Sequence, residues 1–141
     1  MSWLNKINSI IRQTFRMEAS DEDEVTVFNS RGKPVITVSP HRIIYVRAAE
    51  NYSVFHIAGK DGQVEEICVR CTLSHAEEAF APYLHRCHRS YLYNPEHLIH
   101  FIDIREESRL QLYTPAMVEI PVTITHRNRI LKVIELLMEE E

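Results

Sequence analysis

Residues 85–94 read His-Arg-Cys-His-Arg-Ser-Tyr-Leu-Tyr-Asn, which gathers Arg86, His88, Arg89, Ser90 and Asn94 around an apolar, aromatic centre. Guanidinium and amide side chains are shaped for paired hydrogen bonds to phosphates and base edges. The same stretch holds residue types for two other chemistries. His85, Cys87 and His88 are metal-ligand types. Alternation along a strand, however, places His85 and Cys87 on one face and His88 on the other. No second cluster with ligand spacing completes a four-ligand site, so no metal is expected. His88 and Ser90 are the base and nucleophile types of a hydrolase, but Ser90 lies in no G-x-S-x-G elbow. Glu96 and Asp103 have no supporting context for acid–base work. Neither an enzyme nor a cofactor is expected.

Those side chains need a scaffold, and the pattern around them is mainly β. Residues 25–28 and 35–38 flank a turn-rich cluster, Ser30-Arg31-Gly32-Lys33-Pro34. Strands are expected at 43–47, 53–58 and 63–71, then at 91–93, 98–104, 109–113 and 118–120. Ser74 with Glu77 three residues on forms a capping-box pattern for a short helix over 75–81, which Pro82 limits. Residues 128–138 place Ile130, Leu131, Ile134, Leu137 and Met138 on one helical face. Residues 3–15 place Trp3, Leu4, Ile7, Ile10, Ile11 and Phe15 at helical spacing. That helix either packs on the domain, joins two copies, or docks a separate partner through residues 1–19. The expected division is a helix and acidic linker over 1–24, a domain over 25–138 and an acidic tail over 139–141.

A chain of 141 residues supports one domain with a real core. No apolar run approaches the roughly 18 residues of a membrane helix. Asn5, Lys6, Asn8 and Arg12 interrupt any secretory h-region, which argues for a cytoplasmic protein. The net charge of −4 argues against nucleic acid until its location is considered. Residues 131–141 set Lys132 against Glu135, Glu139, Glu140 and Glu141, whereas residues 41–130 are nearly balanced. Three cysteines make no disulfide framework. Cys68 and Cys71 have C-x-x-C spacing in a β-rich run, where residues three apart face opposite ways, so buried reduced thiols are expected. There is no GxxxxGK[ST] loop for a nucleotide.

The stretch Arg86-x-His88-Arg89-Ser90-Tyr91-x-x-Asn94 resembles the R-x-H-R-S-[YF]-x-x-N signature of LytTR-type DNA-binding domains of bacterial transcription regulators. Arg42-Ile43-Ile44-Tyr45-Val46-Arg47-Ala48-Ala49-Glu50-Asn51-Tyr52 is similar to that family's I-x-Y-I-E-A-x-x-N-Y opening. Thr72-Leu73 with the acidic stretch after it is similar to its T-L-x-x-L-E, and Ile120-Pro121-Val122-Thr123 to its I-P-V-S. The four blocks keep their order across residues 40–131.

The resemblance implies an elongated fold of short antiparallel strands and sheets with a short middle helix and terminal helices. It implies sequence-specific binding of double-stranded DNA, commonly as paired direct-repeat sites. Two loops would enter successive major grooves while a third addresses the minor groove between them. Carried onto this chain, Asn51 and Tyr52 form one major-groove reader and Arg89 lies in the minor groove. Arg86, His88 and Ser90 become phosphate or scaffold contacts. Arg86 reads equally as a structural ion pair, and Asn94, before Pro95, equally as a turn residue. Tyr91, Leu92 and Ile43 read as core. The chain departs from the family after the closing block, where Thr123-Ile124-Thr125-His126-Arg127 stands in place of early arginines. Either Arg127 is a displaced second reader or that reader is weakened. The alternative function is a protein-interaction module on the same fold with weak or lost DNA affinity, which the non-basic core favours. The residues before the motif blocks are too few for a receiver domain, so the chain acts alone, pairs with another polypeptide, or is part of a longer regulator.

Overall fold

The computed structural model describes residues 24–59, 61–104 and 107–139. The expected helix at 3–15 therefore lies outside the described residues. Among the described residues, ten strands, two α-helices and two 3-10 turns follow one another. β1 (Val25–Phe28) and β2 (Pro34–Val38) form a hairpin. β3 (Ile43–Ala49), β4 (Tyr52–Ala58), β5 (Val64–Val69), β6 (His85–His88) and β7 (Tyr91–Tyr93) form a five-stranded antiparallel sheet in the order β5-β4-β3-β7-β6. β8 (Leu98–Ile102), β9 (Arg109–Leu112) and β10 (Val118–Pro121) form a third sheet. Helix α1 (Leu73–Ala79) links β5 to β6, and α2 (Ile124–Glu139) closes the described chain.

The central sheet is covered on both faces, which is why Ile43, Ile44, Tyr45 and Val46 are all buried in succession. An irregularity between Ile43 and Tyr45 leaves Ile44 unmatched by β4. Ile44 and Tyr45 then face a core built with β8, β9, β10 and α2, including Phe101, Leu110, Ile120, Ile130 and Ile134. Ile43 and Val46 face a second core with Val27, Phe55, Ala76, Phe80 and Leu92, closed by β1–β2 and α1. Neighbours on β7 divide the same way, Leu92 to one core and Tyr93 to the other. Each fully buried Val, Leu, Ile or Phe contributes about 1.5–3 kcal/mol. Both cores thus stabilise the central sheet, which carries the β3–β4 and β6–β7 loops.

Several sequence expectations are corrected. Thr72, not Ser74, caps α1: its Oγ1 accepts the His75 N–H at 3.0 Å. Ser74 and Glu77 instead serve Arg86. α2 starts at Ile124, four residues before the expected start, because the polar segment 124–127 extends the helix beyond its apolar stripe. An irregularity in β6 between Arg86 and His88 breaks strict alternation. His85 packs on Tyr93 and His88 on Tyr91, two β7 residues on one side, so His88 does not lie opposite His85. Cys71 is buried but Cys68 is exposed. Tyr91 is only half-buried, whereas Leu92 and Ile43 are core. Asn94 is fully buried. Its amide donates to the carbonyls of Pro40 and Ile43 and its oxygen accepts the Glu96 N–H, which decides for the turn role.

Candidate nucleic-acid interface

Three loops meet along one edge of the molecule. The first is the two-residue turn between β3 and β4, Glu50-Asn51, bracketed by the Ala49–Tyr52 pair. Glu50 takes a left-handed φ of 57°, which a tight hairpin demands and which any residue with a Cβ adopts at some strain. Asn51 and Tyr52 are exposed, Tyr52 at 45%. A large aromatic ring open to solvent at a hairpin end is available for a partner surface.

The second loop joins β6 to β7 through Arg89-Ser90. Its shape is fixed by groups that point inward. The Ser90 N–H donates to His88 Nδ1 at 3.0 Å. Arg86 Nη1 donates to the Arg89 carbonyl at 2.8 Å, while Nε and Nη2 grip Glu77 Oε1 at 3.1 and 2.9 Å. Arg86 is mostly buried and its donors are spoken for. Arg89 differs: it is exposed, and its guanidinium has no hydrogen bond or ion pair among the described residues. Burial, and then the Arg89 charge, lower the His88 pKa. Neutral His88 keeps Nδ1 able to accept from Ser90.

The third loop runs from β10 into α2. Thr123 Oγ1 lies 2.7 Å from His126 Nδ1, and the His126 N–H donates to the Thr123 carbonyl at 2.9 Å. Arg127 is not free. Its Nε donates to Asp103 Oδ1 at 2.8 Å and its Nη2 to Asp103 Oδ2. That hydrogen bonding holds the Asp103 carboxyl below its ordinary range and raises Arg127.

Backbone hydrogen bonds set these loops in series. The Ala48 N–H donates to the Ser90 carbonyl at 2.8 Å, tying the Asn51 hairpin to the Arg89 turn. The Thr123 N–H donates to the Cys87 carbonyl at 3.1 Å, tying the third loop to β6. Arg89 therefore sits between the Asn51 loop and the Thr123–Arg127 loop. A groove of about 750 Å³, lined by residues including His88, Arg109, Thr123 and Ile124, lies where the third loop and the start of β9 face the end of β6. Among the described residues no three His, Cys, Asp or Glu side chains gather as a metal site.

The family model of the LytTr DNA-binding domain matches residues 33–135. The chain belongs to the LytTR DNA-binding family. LytTR is a family of DNA-binding domains in transcription regulation. The fold is similar to that of the LytTr DNA-binding domain of a putative methyl-accepting/DNA response regulator from Bacillus cereus, with a TM-score of 0.54 and 20% identity. That match covers 77% of this chain and 94% of the other. The sequence matches no curated protein. Among the described residues no helix is long and apolar enough to cross a membrane.

Of the residues singled out from the sequence, Asn51, Tyr52, Arg89 and Ser90 stand on the loop edge. Arg86 and His88 brace it from behind, and Arg127 stands beside it, held by Asp103. Sequence reasoning missed Asp103 as the partner of Arg127, because the two lie 24 residues apart. It also missed Arg70, which lines one cleft with Glu50 and Asn51.

Proposed function

We propose that this LytTR domain binds double-stranded DNA sequence-specifically as a bacterial transcription regulator. One observation carries the reading: an exposed, unpaired Arg89 stands on a braced turn midway between two further polar loops. Arg89 enters a minor groove, where narrow A·T-rich segments concentrate negative potential. Asn51 meets the major groove on one side, its amide matched to adenine N7 and N6. Arg127 meets the major groove on the other side once it leaves Asp103. Ser90 supplies a phosphate contact, and Arg86 and His88 position the turn without touching bases.

Two copies bind paired direct-repeat sites, and residues 1–19 join the copies or dock a sensory partner. The test is selection of bound duplexes from a random pool at low salt. Enrichment of one repeated motif supports the reading. A pool without enrichment favours a protein-interaction module on this fold.

A further inference from the structure

Cations, not net charge, decide where a polyanion lands, and four of the described arginines are already neutralised or committed. Arg42 donates to the Ala58 carbonyl, Arg86 pairs with Glu77, Arg109 with Glu119 and Arg127 with Asp103. Arg31, Lys33 and Arg70 have no ion pair among the described residues, and all three are exposed. Arg31 and Lys33 lie on the β1–β2 turn and Arg70 directly follows β5, and the backbone joins these two segments. The Ser30 N–H donates to the Arg70 carbonyl at 3.1 Å, which pins the β1–β2 turn to the end of β5. Ser30, Arg70 and Thr72 then line one cleft of about 310 Å³ with Glu50 and Asn51 of the first loop.

The turn is also rigid. Asn29 Oδ1 accepts the N–H groups of Arg31 and Lys33 at 2.9 and 3.0 Å, and Gly32 takes a φ of 79° that suits glycine. Asn29 N–H returns to the Lys33 carbonyl at 2.8 Å. A fixed turn loses little further backbone freedom when its cations meet a phosphate. Asn29 to Gly32 also precede the segment that the family model matches, so the turn's Arg31 belongs to this chain's own sequence rather than to the matched pattern.

We propose that Arg31, Lys33 and Arg70 form a phosphate-binding platform for duplex DNA. It extends the footprint outward past the Asn51 loop, on the side away from Arg89. The platform rests on the DNA-binding reading above. Because phosphates carry no sequence information, it adds affinity and salt dependence without changing which bases are preferred.

The experiment measures binding of the whole chain to its selected duplex, across a salt series, for the native protein, the double variant Arg31→Ala/Arg70→Ala and the charge-keeping Arg31→Lys/Arg70→Lys. The alanine variant is expected to keep its melting temperature and its preferred sequence. Its log–log salt slope should shrink by about two, roughly one per lost phosphate contact. The lysine variant should recover most of the slope. Trimming the duplex beyond the Asn51 side should abolish the native protein's advantage over the alanine variant. If the alanine variant binds the selected duplex with unchanged affinity and slope, the platform falls while the loop reading stands. If no duplex is bound by the native chain, both fall together.

Discussion

Arg86 Nη1 donates to the carbonyl oxygen of Arg89 at 2.8 Å, so one arginine of the motif holds the backbone of the other in place. The two guanidiniums have opposite fates, the first mostly buried against Glu77 and the second open to solvent.

Substituting each arginine separates recognition from folding. Arg89→Ala should weaken binding to the selected site by about 1–3 kcal/mol, the range for a good groove contact. Its melting temperature should hardly move. Arg86→Ala strips partners from Glu77 and the Arg89 carbonyl and should cost about 2 kcal/mol of stability. Urea titrations beside binding isotherms would show it. Equal loss of stability in both variants would make Arg89 a structural residue.

Asp103 and Arg127 should respond with opposite signs. Arg127→Ala removes the second reader and should weaken specific binding. Asp103→Asn releases the guanidinium and removes a carboxylate from the DNA-facing edge, so binding should tighten. If neither variant changes affinity, the pair only joins the β8–β9 loop to α2, and the second reader lies elsewhere.

Acidification should loosen the domain. Burial lowers the pKa values of His56, His85, His88 and His126 below the ordinary 6.5. Between the unfolded value and the lowered folded values, the unfolded chain binds more protons, so stability falls as pH falls through about 6.5. Protonated His88 also cannot accept from Ser90, and the Arg89 turn loses a brace. Melting temperature and DNA affinity should both drop from pH 7.5 to pH 5. A flat melting profile over that range would contradict the assignment of these histidines as neutral.

Leu92 and Asn94 test the scaffold. Leu92→Ala empties a fully buried site and should cost about 2–5 kcal/mol. Asn94→Ala leaves two carbonyls and one N–H without their partner and should cost about 3 kcal/mol. Each folded variant, assayed well below its melting point, should keep the native sequence preference. A changed preference after Asn94→Ala would return that residue to the interface.

How much the sequence could tell depended on distance along the chain. The strands around Tyr91–Tyr93 and Ile43, and the exposed loop at Asn51, were legible because alternation and turn chemistry are local signals. The family blocks gave the mainly β architecture. Three features were not local. Arg86 recruits Ser74 and Glu77 from α1, which moved the helix cap to Thr72. The irregularity at Cys87 changes which way His88 faces, and nothing in the residue pattern marks it. Arg127 meets Asp103 only after β9 and β10 fold back between them.

The most direct test of the account is groove-specific base interference on the selected duplex. Major-groove purine analogues and minor-groove analogues would be placed at each position in turn. Two major-groove segments of dependence are expected, with centres about 10 base pairs apart on one face. Minor-groove dependence should lie midway between them and vanish in Arg89→Ala. Binding that tolerates every base analogue and responds only to salt would contradict it.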